Sequence, residues 1–194
     1  KNKAIYNAIK YDKKGEQHYD IISALIKSIR GNDPNAGIYW LARMIEGGED
    51  AKFIARRLLI FAAEDIGNAN PNALVLANNC FQAVNVIGFP EARIILSQTV
   101  IYLACSQKSN TSYNAINKAQ MEVKKSRNLT IPFHLRNTKN NISEEFDFLK
   151  NKAMNHEFLP EEISGMLFYE PANNRKEKNF RENLKKVWKK KYNY

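Results

Sequence analysis

The chain has 194 residues, 44% hydrophobic and 26% charged, so it is long enough to bury a core and carries the composition of a water-soluble globular protein. Thirty Lys and Arg against 20 Asp and Glu give a net charge of +10, and 8 Gly with 6 Pro leave few breakers, which favours helices. The longest uncharged stretches, such as Ile66–Pro90, are interrupted by Asn, Gln, Gly and Pro, which excludes a membrane-spanning helix.

Helix punctuation recurs along the first two thirds. Ile21, Ile22, Leu25, Ile26 and Ile29 follow a helical period from near His18 until Gly31 stops it. Asp33–Pro34 opens the next helix, with Asp as N-cap and Pro at the first helical position, where its missing N–H costs nothing. Gly47–Gly48 ends it, Glu49–Asp50 cap a third helix running to Ile66, and Gly67 stops that one. Asn70–Pro71 repeats the cap-plus-proline device for a fourth helix closed by Gly88. Phe89–Pro90–Glu91 starts a fifth reaching about Ser106, and Ser109–Asn110–Thr111 caps a sixth ending near Arg127.

Beyond Leu129 the pattern loosens. "IPFHLRNTKNN" reads as an extended strap, Ile142–Asn155 as a short helix, and "LPEEISGMLFYEP" as a helical turn followed by extended chain. Asn174–Lys191 reads as a final helix with Phe180, Leu184, Val187, Trp188 and Tyr192 as a narrow apolar stripe that docks it. No segment alternates as a half-buried strand does, so an all-α antiparallel helical array with short connections is expected. Three parts follow: residues 1–16, a helical domain over 17–128, and a C-terminal strap and basic helix over 129–194. Cys80 and Cys105 lie among apolar residues and are expected to be reduced core thiols. The chain begins KNKAIYNAIKYD without Met, as a piece of a longer protein would.

Charge is unevenly placed. Residues 1–107 hold 12 Lys and Arg against 10 acids, whereas residues 108–194 hold 18 against 10. Lys185, Lys186, Lys189, Lys190 and Lys191 cluster at the end of the last helix. They are candidates for contact with nucleic acid, although cations there also suit the helix dipole.

In "RRLLIFAAEDIGNANP" an apolar run leads into Glu64–Asp65, which invites comparison with the metal-binding strand of a nucleotide hydrolase. A phosphate-cradling G-x-x-x-x-G-K-[ST] loop is missing, and no Gly is followed by Lys. Arg57, Ile60, Phe61 and Glu64 fall at helical spacing instead, so Arg57, Glu64 and Asp65 read as structural. A carboxylate in the last turn opposes the macrodipole, and Asp65 should be held by the Asn68–Asn70 turn or by an arginine of a neighbouring helix. His18, His134 and His156 are far apart and lack zinc-binding spacing, and the chain has neither a G-x-S-x-G elbow nor a dinucleotide fingerprint. No catalytic, cofactor or metal site is expected in this stretch.

In the helix opened by Pro34, Ile38, Leu41, Ala42 and Ile45 make one apolar stripe expected to face the core. Trp40 and Met44, with Gly37 a turn earlier, would then form a second apolar face, a candidate contact between subunits.

The run from "EQHYDIISALIKSIRGNDPNAGIYWLARMIEGGEDAKFIARRLLIFAAEDIGNANP" through "IGFPEARIILSQTVIYLACSQKSN", "IPFHLRN" and "LPEEISGMLFYEP" resembles the C-terminal region of the replication-associated recombination protein A family. That family is also called MgsA, and its eukaryotic relative is the Werner helicase interacting protein. The resemblance covers about Tyr11 to Pro171. It implies a parent that is a DNA-stimulated AAA ATPase acting at replication forks in repair and recombination, using ATP and magnesium in an upstream module. It also implies a homotetramer held by a region similar to the clamp-loader collar, with residues 1–16 as the exit from the ATPase lid. DNA and single-strand-binding protein are the further partners it suggests, in a bacterial cytoplasm at the nucleoid, with no membrane. The alternative, from the charge pattern, is a nucleic-acid-binding module built on the basic C-terminal half.

Overall fold

The computed structural model describes residues 16–136, 157–188 and 191–194. All regular structure among them is helical, so the all-α expectation holds. The helices are α1 (Glu16–Arg30), α2 (Pro34–Glu46), α3 (Ala51–Phe61), α4 (Asn72–Ile87), α5 (Ala92–Cys105), α6 (Thr111–Ser126) and α7 (Arg175–Trp188). The expected helix over Ile142–Asn155 lies outside the described residues. The chain divides into two units, Lys1–Asn110 and Thr111–Tyr194.

In the first unit the sequence punctuation acts as expected at two of three caps. Asp33 accepts a hydrogen bond from Ala36 N at 2.9 Å and Asp50 from Lys52 N at 3.1 Å, satisfying donors that helix starts leave open. Asn70 differs. Its side chain turns to Tyr102 and Ser106 rather than capping α4, and only its carbonyl accepts from Ala73 N.

The core gathers Leu25 and Ile29 of α1, Leu41 and Met44 of α2, Ile54, Leu58 and Phe61 of α3, and Leu96, Val100 and Leu103 of α5. α5 packs against each of α1–α4 and is the element they share. α4 meets α3 and α5 through small residues, Ala73, Ala77, Cys80 and Val84. Cys80 is buried as expected, but Cys105 is exposed because it sits in the last turn of α5, past the buried Leu103 and Ala104.

Two placements correct the sequence reading. The third helix does not run as one α-helix to Ile66: α-geometry stops at Phe61, and Ala62–Ile66 form a π-helical turn followed by a 3₁₀ turn over Gly67–Ala69. In α2 the fully inward residues are Gly37, Leu41 and Met44, with Met44 at 0% exposure, while Ala42 is exposed. The reason is that α2 has two neighbours, α1 and α5, so its buried arc is wide. It runs from Trp40 through Met44, Gly37, Leu41 and Ile45 to Ile38, and single-stripe reasoning picked only half of it.

In the second unit the strap contains a 3₁₀ turn over Phe133–Leu135 and another over Glu161–Ile163. α7 opens on Asn174, whose Oδ1 accepts from Glu177 N at 2.9 Å as an N-cap while its Nδ2 donates to Glu177 Oε2, so the two side chains clasp each other.

Candidate functional site

Three places on the chain carry the residues singled out by sequence. The first is the end of α3. Its π turn bonds i to i+5, a geometry that widens the helix and is often found where a side chain must be re-aimed. Gly67, at φ 46°, then reverses the chain in a region that a side chain would disfavour. Here Asp65 is held as expected by an arginine of another helix. Arg30, the last residue of α1, donates from Nε to Oδ1 at 2.6 Å and from Nη2 to Oδ2 at 3.0 Å. Hydrogen bonding to Asp65 keeps the Arg30 guanidinium above its ordinary pKa. The Asp65 carbonyl also accepts from Ser109 N at 2.7 Å, tying the turn to the segment after α5.

Lys108, which sequence reasoning passed over, completes this corner. Its ammonium shares three N–H donors among the carbonyls of Leu103, Ala104 and Ser106 and Asn32 Oδ1, all at 2.6–3.1 Å. It therefore closes the open carbonyl end of α5 and pins the α1–α2 turn, where a cation is favoured by the dipole. Burial lowers its pKa below the usual lysine value, against the pull of Cys105 and Asp65. The signal available in sequence was a lysine three residues past the helix end.

Arg57 and Glu64, expected on one face, are both half-buried, and no hydrogen bond or ion pair joins them among the described residues. Arg57 Nε is buried without a hydrogen-bond partner. The intervening π turn moves Glu64 out of α-helical phase with Arg57. His18 Nδ1 and Glu49 Oε2, both buried, meet at 2.8 Å beneath the Phe53 ring. Among the described residues no three His, Cys, Asp or Glu side chains are placed to hold a metal ion.

The second place is α2. Gly37 and Met44 are core, so they cannot present an outer face. Trp40 stays at the edge, packed on the core, with Tyr39 edge-on to its ring at 5.1 Å and Arg43 5.5 Å from its centroid. Gly37 lets α2 approach closely: a Cβ there would stand 3.0 Å from Val100 Cγ1 and 3.6 Å from Ile29 Cγ1.

The third is the basic end. Lys185 and Lys186 are exposed in the last turn of α7, whereas Lys189 and Lys190 lie outside the described residues. Lys191 is not free. Its Nζ is 2.8 Å from Glu157 Oε1 and about 5 Å from the ring centroids of Trp188 and Tyr192. Trp188 in turn meets Phe158 edge-on at 5.9 Å, so the tail is tied to the strap. Of the apolar stripe, Leu184 and Trp188 are half-buried while Phe180 and Val187 are 38% exposed. Deeper in this unit Glu177, at 0% exposure, accepts from Thr111 Oγ1, Tyr169 OH and Asn174 Nδ2, at the N-termini of both α6 and α7. The tetrapeptide Asn174–Arg175–Lys176–Glu177 carried the capping-box signal that would have found it.

These features define an all-α helical module with side-chain clasps at its helix ends. Residues 31–188 match the family described as MgsA AAA+ ATPase C terminal, and residues 1–30 match the AAA C-terminal domain family. The chain is 40% identical over 185 residues to the replication-associated recombination protein A of Coxiella burnetii, covering 90% of this chain and 42% of that protein. It is 35% identical over 174 residues to the Escherichia coli K12 protein of the same name, covering 84% and 39%. With the ATPase WRNIP1 of Dictyostelium discoideum it shares 37% identity over 170 residues, 82% of this chain and 19% of that one. The chain therefore spans less than half the length of these relatives. It belongs to the MgsA family of AAA+ ATPase C-terminal regions. No helix among the described residues is long and apolar enough to cross a membrane.

Proposed function

We propose that this chain is the assembly region of a DNA-dependent AAA+ ATPase of replication-fork maintenance and recombination, joining four copies into a homotetramer. ATP and magnesium act in the parent's ATPase module, and DNA and single-strand-binding protein are partners of the whole assembly in the cytoplasm, at the nucleoid. Residues 1–16 are the exit from the ATPase lid, 17–128 the collar-like domain and 129–194 the strap and basic helix. The observation that carries this reading is the set of large apolar side chains that α4 and α5 leave exposed, Val86 at 86%, Val75 at 60% and Ile94 at 57%, in a chain of an AAA+ ATPase family. Light scattering on the chain at several concentrations tests it. A fourfold mass without DNA is expected, and a monomer at every concentration would end the proposal.

A second role rests on the exposed Lys185 and Lys186, with Lys189 and Lys190 beside them in sequence: weak contact with nucleic-acid phosphates. Lys191, committed to Glu157, contributes little to it. Truncation after Glu182 should abolish a salt-sensitive DNA affinity; affinity that survives truncation puts the contact elsewhere.

A further inference from the structure

The charge-free stretch from Ile66 to Pro90 contains the whole of α4, in a chain that is 26% charged. Ala73, Ala77, Cys80 and Val84 turn inward. Directly opposite them, by the 100° advance per residue, stand Val75, Asn79, Gln82 and Val86, all exposed. Their spacing of four, three and four residues is that of a seam between two paired helices. No hydrogen bond within the chain uses the Asn79 or Gln82 amide among the described residues, and Asn78 flanks them in the same condition.

The order of the stripe says what covers it. Valine, asparagine, glutamine and valine read the same in kind in both directions about a point between Cys80 and Phe81. Two copies of α4 laid antiparallel across a two-fold axis there would set Val75 of each against Val86 of the other, and Asn79 against Gln82. Each primary amide is donor and acceptor at once, so the central pair can hydrogen-bond reciprocally. A two-fold contact requires this self-complementarity. Electrostatics permits the same occupant: the face carries no charge, so two copies can meet across it without burying an unpaired ion. We infer that the outer face of α4 is an isologous contact with a second copy of this chain, antiparallel, with Asn79 and Gln82 setting the register. This rests on the assembly reading above and adds one of the contacts that a closed tetramer needs.

Charge placement on the full chain tests it, with the mass read by light scattering and folding by circular dichroism. Val75→Glu alone and Val86→Lys alone should each at least halve the mass while the chain stays folded. Val75→Glu combined with Val86→Lys should restore it, because antiparallel pairing sets each new carboxylate against a new ammonium. Folded single variants of unchanged mass assign the face to another partner and overturn the inference. Failure of the double variant to recover overturns the antiparallel geometry. A monomeric wild-type chain instead removes the assembly reading itself. Should a single variant unfold, an Asn79→Cys chain mixed with a Gln82→Cys chain, each also carrying Cys105→Ser, gives the answer: mild oxidation should yield a covalent dimer of the two, and its absence counts against the contact.

Discussion

Arg30 and Asp65, thirty-five residues apart, meet as a two-pronged guanidinium–carboxylate fork that joins the end of α1 to the π turn after α3. Asp65, one of the acidic pair that invited comparison with a metal site, is thus half of a clasp. Asp65→Ala should cost about 1 kcal/mol, at the low end for a charge-assisted pair, because Arg30 is half exposed and can turn to water. Asp65→Asn, which retains one acceptor, should cost less. Urea unfolding measures both, and a loss no larger for Ala than for Asn would contradict the clasp.

Gly37 predicts coupling across the α2–α5 contact. Gly37→Val should destabilise by about 1–3 kcal/mol, since Val100 is fully buried and has no room to withdraw. Val100→Ala in the same chain should return part of that loss, although alone it destabilises. Strict additivity of the two changes in a double-mutant cycle would place the strain elsewhere.

Glu177 is the most consequential carboxylate of the second unit. Glu177→Ala strands donors from Thr111, Tyr169 and Asn174, while the bond from the residue 177 N–H to Asn174 Oδ1 is kept. A loss of about 2–4 kcal/mol is expected from orphaned buried donors. Glu177→Gln, which keeps the shape but offers one fewer acceptor oxygen, should fall between Ala and wild type. Equal melting temperatures for Gln and Ala would mean that the acceptor array carries no weight.

The tail carries a pH dependence. Burial works to raise the Glu157 pKa, but hydrogen bonds from Lys191, Ser164 and Leu159 N outweigh it and hold the value down at about 2. A carboxylate depressed below its ordinary ~4.3 stabilises the folded tail fully above that pH, and this contribution is lost as pH falls through about 2. In a Trp40→Phe chain, Trp188 emission should therefore stay constant from pH 7 to about 5 and change between about 4 and 2. Glu157→Gln should remove that transition. An unaltered acid transition in the Gln variant would assign it to another group.

The helices of the first unit were readable because their ends are marked by residues with one physical use: Asp33 and Asp50 as caps, Pro34 at a first turn, and Gly67 and Gly88 as stops. The partner of Asp65 was foreseen in kind but not by number, because contacts between distant helices leave no periodic trace. Met44 was placed wrongly because periodicity finds an apolar arc and not the number of neighbours it meets. Lys108 was missed for a different reason. It works through carbonyl oxygens, which every residue has and which the sequence does not mark.

The π turn at Ala62–Ile66 also buffers the chain against a change in its own length. Such a turn holds more residues per revolution than an α turn, so it stores one residue of slack. Removing any single residue between Ala62 and Ile66 would let the turn revert to α geometry. The reversion would use up that slack, so the segments on either side of the deletion would keep close to their present phase. Loss of one residue here other than Asp65 is thus absorbed inside the turn, leaving Asp65 beside Arg30 and α4 in phase, whereas the same loss within the α-helical part of α3 would turn everything that follows by about 100°.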